Sequence, residues 1–496
     1  MPEATLEPLL KEKLPETVGP VLFRRLGGRY LLTNDWGNHY WLEAEDFSKY
    51  IGGTLEEETP LWHDLRTRGF LRNYLSFHEL GGRWRQRTHY LQEGPGLHHI
   101  AVTRRNRNAT PYTMKPQVEL EDRKFDMTLA MARRLAKFVF DSPNSEITLE
   151  LRGGDPMLNW DVSSFLIRHA SSFAGSVKRK LQAAIVSPLS ELDEEKIAFL
   201  AEHGVAVSVP LDGPKDLHDA LRSEVEGGGT WEKTVAGIKA LKKAGVACEA
   251  YFTLTRGALG RVDEIIEAYQ SAGLDSIHVR SLWPVGDARA RWDEISVSSD
   301  DSFAFYKELL DACLALEAKG TPFREKGAAV LLTKILQGTD PGAVENRLVY
   351  GGGLGEMAYD FDGDVYPSDE GRGYAEAEGD QLFRIGSADL GFKELISHST
   401  VRALAVASDL GSQPLCSQCV YKPFCGVSPV FNVAAQGSLH GRNSTNDRCA
   451  TYMGMFDSLF ERLRDEKVKP IFERWSKTTE LERGEPTPPF LSGGLL

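Results

Sequence analysis

Glu146-Ile147-Thr148-Leu149-Glu150-Leu151, then Arg152-Gly153-Gly154-Asp155-Pro156, then a helical pattern over Asp161–Phe173: this stretch decides the fold. Its first six residues form a short apolar, β-prone run, which reads as a strand. The glycine pair and the proline end it, and apolar residues at helical spacing follow. The same unit recurs along the chain. Strand-like runs lie at His99–Thr103, Leu181–Val186, Val205–Pro210, Cys248–Leu254 and Ser276–Leu282. Helical patterns alternate with them at Met127–Phe140, Asp193–Glu202, Trp231–Ala244 and Val262–Ala272. Six such units predict an α/β protein whose right-handed crossovers build a parallel sheet or a partial (β/α)6 barrel. Polar and glycine-rich residues just after the strands, as in Asp212-Gly213-Pro214, mark the edge where a barrel binds its ligands.

Toward the other end, Cys416, Cys419, Cys425 and Cys449 read C-x2-C-x5-C with a fourth cysteine farther on. The chain has only six cysteines, and this group supplies a full set of soft ligands. Thiolates select zinc, copper(I) or iron–sulfur, and four of them close a tetrahedral or cubane site. Structural zinc more often uses two C-x2-C pairs, so the single short pair points toward an iron–sulfur cluster, with zinc or free thiols as alternatives. Cys248 and Cys313 lie in apolar surroundings and read as core residues.

Composition bounds the rest. The 496 residues suffice for two to four domains with sizeable cores. With 58 basic and 71 acidic side chains the net charge is −13, which argues against nucleic acid or an anionic membrane as partner. Met1-Pro2-Glu3-Ala4 shows no charged-then-apolar signal, and no apolar run approaches a bilayer span. Few cysteines and no export signal predict a reducing cytoplasm, where thiols mean metal before disulfide. The last twenty residues, rich in Pro and Gly, read as a loose tail.

Residues 1–92 read as a separate unit. Strands are expected at Val21–Arg24, Tyr30–Thr33 and Tyr40–Leu42, and helices at Ala44–Ile51 and Pro60–Arg68, the second ended by Gly69. Arg83-Trp84-Arg85-Gln86-Arg87 links this unit to the barrel.

At this point the residues carry a family resemblance. Leu211-Asp212-Gly213-Pro214, His218-Asp219, Arg222 and Gly227-Gly228-Gly229-Thr230 resemble the fourth-strand region of radical SAM enzymes with a SPASM extension. Gly153-Gly154-Asp155-Pro156-Met157-Leu158-Asn159 is similar to that family's GGE motif, with Asp for Glu. Phe361-Asp362-Gly363-Asp364-Val365-Tyr366-Pro367 resembles the entry to its auxiliary-cluster domain, and the cysteine quartet its second auxiliary site. The nearest pattern is the radical SAM/SPASM maturase of His-Xaa-Ser peptide systems. The first unit resembles the winged-helix, PqqD-like modules that bind a leader peptide as an added strand; simple packing is the alternative. The resemblance implies four segments: 1–92 for peptide recognition, 93–300 for the barrel, 301–455 for a SPASM-like iron–sulfur domain, and 456–496 for a helix and tail.

The departure is as informative. The family's C-x3-C-x-aromatic-C falls here on Asn106, Thr110, Tyr112 and Thr113, so the aromatic is present and the three cysteines are not. Hard neutral oxygens cannot replace thiolates on iron, which implies that S-adenosylmethionine is not cleaved reductively. Ligands of the first auxiliary cluster fall near Gly352, at Ser368 and at Pro429, none of them sulfur.

The implied protein is a degenerate maturase holding one [4Fe-4S] cluster on Cys416, Cys419, Cys425 and Cys449. It binds a precursor peptide and works with a cluster-complete radical SAM partner. Gly153, Gly154, Asp155 and Tyr112 are the candidate cofactor-binding residues, with Asp155 equally readable as a helix start. Asp369 matches a position where some relatives place a catalytic carboxylate, and a turn role is the alternative. Arg280, on the sixth strand, pairs either with a substrate carboxylate or with an acidic neighbour. His218 and Arg222 brace a helix, and Arg104, Arg105 and Arg107 form a basic loop where the cluster would sit. The second reading is an enzyme that binds S-adenosylmethionine or a nucleotide at the barrel mouth and uses Asp155, Asp212 or Asp369 as acid or base.

Overall fold

The computed structural model describes residues 14–112 and 118–481. Met1–Ala4, Thr113 and most of the expected tail lie outside the described residues.

Three antiparallel strands open the chain: β1 (Leu22–Leu26), β2 (Arg29–Thr33) and β3 (His39–Leu42), in the order β1-β2-β3. Helices Ala44–Ile51 and Pro60–Thr67 pack on them. The second starts where Thr59 accepts from the Trp62 amide and Pro60 fills the first turn, the position that needs no N–H. Leu32, Leu42, Phe47, Tyr50, Trp62, Leu65 and Phe70 form a core of their own. Helix Phe77–Thr88 carries the basic link onward.

The central sheet has ten strands. Six of its parallel strands are β4 (Leu97–Thr103), β6 (Glu146–Gly153), β7 (Lys180–Val186), β8 (Ala206–Pro210), β10 (Cys248–Thr253) and β11 (Ser276–Arg280). The short strands β5 (Asn108–Ala109) and β9 (Ser223–Glu224) pair with each other outside it. Parallel neighbours that follow in chain order need crossovers, and helices Leu129–Phe138, Trp160–Val177, Glu194–Glu202, Trp231–Lys243 and Val262–Ser271 supply them. All seven residues of β4 are buried, as expected for a strand covered on both faces.

The sheet continues past residue 300 on both edges. β12 (Arg324–Glu325) adds to β11, while β13 (Glu356–Tyr359) pairs in parallel with β4, Glu356 opposite Leu97. β14 (Asp364–Tyr366) and β15 (Gly386–Ser387) extend that edge antiparallel, with Gly363 at φ +93° in the β13–β14 turn. Segment 301–455 therefore shares its sheet with 93–300. Among the described residues, no helix is long and apolar enough to cross a membrane.

Candidate functional site

A cavity of about 230 Å³ opens at the carboxyl end of the parallel strands. The loop after β4 contributes Asn106, Asn108 and Thr110, β6 and its turn contribute Arg152, Gly153 and Gly154, and β11 contributes Arg280. Arg222, Tyr251 and Asp369 complete the polar wall. No cysteine lines it.

The glycine turn is fixed by close approach of backbone. Gly154 donates to the Thr103 carbonyl at 2.7 Å, and a Cβ at Gly154 would drive into the Arg105 carbonyl. Gly153 sits at φ +122°, a conformation that side chains disfavour. Asp155 is fully buried and caps the short helix Pro156–Asn159 through the Met157 amide at 3.0 Å. It also accepts from Ser187 at 2.8 Å and Ser190 at 2.6 Å; burial raises its pKa against those hydrogen bonds. Asp155 is thus a helix start, as one of its two expected roles requires, while Gly153 and Gly154 face the cavity.

Tyr112 donates to Asp212, whose other oxygen accepts the Thr253 amide at 3.0 Å. Arg222 holds the same carboxylate at 2.6 Å, and its guanidinium lies 5.3 Å from the Tyr112 ring centre. His218 accepts the Asp212 amide at 3.1 Å and meets Thr230 at 3.0 Å. The fourth-strand motif therefore closes on itself as a buried network. Asp369 begins helix Asp369–Glu378 and is held by Arg152 at 2.8 Å and Arg372 at 2.6 Å. The basic loop is neutralised: Arg104 pairs with Asp360 and Glu376, Arg105 with Asp126 at 2.7 Å, and Arg107 with Glu191.

Arg280 differs from these. Its guanidinium lies 3.8 Å from the centre of the Tyr251 ring, and its Nε and Nη2 are closed off without a hydrogen-bond partner. Burial lowers its pKa.

Below the mouth lies a group of buried acids that the sequence did not reveal. His99 bridges Glu150 and Glu356, at 3.0 Å from each ring nitrogen. Burial works against its charged form, yet Glu150 and Glu356 carry its pKa up to about 10. Burial, with the charge of Glu370, pushes Glu356 up to about 7. Glu370 is raised to about 8, by burial first and then by Glu345 and Asp369. The one available signal was His98-His99 in a strand with no polar face, where buried polar groups must find partners.

The four C-terminal cysteines line a second, mostly apolar cavity with Tyr421, Val427, Tyr452, Met453 and Phe456. All are free thiols. Burial pushes Cys416 up to about 12, with Cys425, Cys449 and Cys419 adding to it. Four soft donors around one cavity have the ligand chemistry of a metal group or an iron–sulfur cluster. No three His, Cys, Asp or Glu among the described residues converge on a single ion.

Residues 109–272 match the model of the radical SAM superfamily. The native anSMEcpe structure with bound AdoMet superposes with a TM-score of 0.66 at 18% identity, covering 75% of this chain and 99% of that one. The fold is radical-SAM-like. A cysteine-type anaerobic sulfatase-maturating enzyme of Clostridium novyi is 23% identical over 346 residues, 68% of this chain and 87% of that protein. Streptococcus suis SuiB bound to precursor peptide SuiA matches with a TM-score of 0.51 at 12% identity, over 86% of this chain and 98% of that one.

Within this radical-SAM-like barrel, Asn106 and Thr110 sit on the cavity wall. The positions implied for a first auxiliary cluster serve the backbone instead. Ser368 caps helix Asp369–Glu378, Pro429 occupies the first turn of helix Pro429–Gln436, and Gly352 packs against Tyr350.

Proposed function

We propose that this chain is a peptide-maturation protein with a radical-SAM-like barrel that does not generate a radical. The observation that carries the reading is the distribution of sulfur. Four of six cysteines gather in one C-terminal cavity, while the mouth cavity presents Asn106 and Thr110 where the family motif requires thiolates. Cys416, Cys419, Cys425 and Cys449 would hold one [4Fe-4S] cluster. A cluster with every iron bound by protein supplies structure or electron transfer. The single short C-x2-C pair of the quartet supports a cluster over zinc, which more often uses two such pairs.

Residues 1–92 take the precursor peptide along an edge of the three-stranded sheet, residues 93–300 form the barrel, and 301–455 carry the cluster. Chemistry on the peptide comes from a cysteine-complete radical SAM partner of the same class as His-Xaa-Ser systems. The likeness to SuiB, solved with its precursor peptide, supports a peptide ligand. Asp155, Asp212 and Asp369, each engaged by several donors, leave the polar-enzyme reading without an available acid–base pair.

The test is anaerobic purification with iron and sulfide counted per chain, followed by incubation with S-adenosylmethionine and a strong reductant. About four irons and no 5′-deoxyadenosine are expected. Eight or more irons, or release of 5′-deoxyadenosine by the protein alone, overturns the reading.

A further inference from the structure

The mouth cavity is lined by three arginines, Arg152, Arg222 and Arg280. Two are committed: Arg152 to Glu150 and Asp369, and Arg222 to Asp212. Among the described residues no carboxylate pairs with Arg280, and two of its nitrogens have no partner. A guanidinium keeps its proton and offers a planar fork of donors matched to a carboxylate. Buried donors are almost always satisfied, and Arg280, whose side chain lines the cavity, carries two closed-off nitrogens with no partner, which points to a ligand. Tyr251 stacked on one face holds the fork rigid, which suits it to oriented binding. Asn106 and Asn108 line the same cavity with side-chain amides that can bond the remaining lone pairs of a bound anion. At about 230 Å³ the cavity lies below the about 300–1,000 Å³ of sites for whole small-molecule ligands, a size suited to one side chain.

We infer that Arg280 anchors a carboxylate-binding site in the barrel mouth, and that its occupant is an acidic group of the peptide. This rests on the peptide-binding reading above and adds a substrate class to it: a precursor with a carboxylate at or beside the segment that enters the barrel. The carboxylate belongs either to an Asp or Glu side chain or to a chain terminus.

The full-length protein is titrated calorimetrically with four probes. N-acetyl-glutamate α-amide offers only a side-chain carboxylate, N-acetyl-glutamine only a terminal one, N-acetyl-glutamine amide neither, and S-adenosylmethionine is the fourth. One of the first two is expected to bind and the neutral amide is not. Arg280→Gln should lose about tenfold or more in affinity for the acid that binds. Arg280→Lys, a point charge without the fork, should fall between. Without ligand, Arg280→Gln should melt no lower than the parent, because it removes unpaired buried donors; an arginine kept for structure would lower the melting temperature. Should Arg280→Gln not fold, Arg280→Lys carries the comparison alone. Equal binding of acids and neutral amide, unchanged affinity in the variants, or a response to S-adenosylmethionine only, overturns the inference. Iron content and the fate of S-adenosylmethionine decide the preceding reading, so either can fail without the other.

Discussion

Thr33 donates its hydroxyl to the carbonyl of Val420 at 2.6 Å, which ties the last residue of β2 to the loop between Cys419 and Cys425. Neighbouring contacts follow the same seam. Lys422 meets Asp35 at 2.7 Å, and Arg87 donates to the carbonyls of Asp35 and Pro423. Arg24 and Tyr421 share Asp457, and the His39 ring packs 5.3 Å from that of Phe460. The N-terminal sheet is therefore built onto the cysteine loop.

Thr33→Val keeps the shape of the side chain and removes the donor. Both partners are buried, so the Val420 carbonyl loses its bond and stability should fall by about 1–3 kcal/mol. Urea unfolding of the two proteins measures it, and equal midpoints would show that water or another donor replaces the hydroxyl.

Gly154→Ala tests the turn beside the mouth. Gly154 does not have the positive φ of Gly153, so alanine would meet only the collision with the Arg105 carbonyl. Backbone cannot swing aside as a side chain does, and a loss of about 3 kcal/mol is expected, at the upper end of overpacking. Thermal unfolding reads it directly. A variant as stable as the parent would mean that the β4 loop yields.

The barrel was legible because its signal is local. Each βα unit shows a change of period and a glycine-rich stop within a short window, as at Glu146–Asp155. The sixth strand was expected to reach Leu282 and ends at Arg280, because Leu282 packs with Ala288 and Ile295 in a separate small cluster. β13 went unread: its partner β4 lies far away in the chain, and no local pattern encodes that pairing. The sequence places the basic loop of Arg104, Arg105 and Arg107 where the cluster would sit. Its acids come from remote elements, so only the fold shows the pairing. For Arg280 the sequence offered two partners, and among the described residues Glu150 and Glu249 act on it by charge without an ion pair.

Substitution of cysteines should separate ligands from core. Cys425→Ser and Cys419→Ser are expected to lose most of the bound iron and the visible absorbance of an anaerobic preparation, since a hydroxyl is a poor ligand for such a cluster. Cys248→Ser should keep both, because Cys248 lies on β10, away from the quartet. Iron retained in Cys425→Ser, or lost in Cys248→Ser, would relocate the metal site.

Glu370→Gln probes the buried acids by pH. Glu370 is buried, and its carboxyl is raised from 4.5 to about 8, by burial first and then by the charge of Glu345 and Asp369. The unfolded chain releases this proton near 4.5 and the native site near 8, so the native state binds the extra proton between those values. The stabilisation is complete below the lower value and is lost as pH rises through the upper one. Glutamine is neutral throughout. The stability of Glu370→Gln relative to the parent should therefore climb steadily from pH 4.5 to pH 8 and then level off. Chemical denaturation across that range measures the difference, and a flat profile would mean that Glu370 titrates as it does in water.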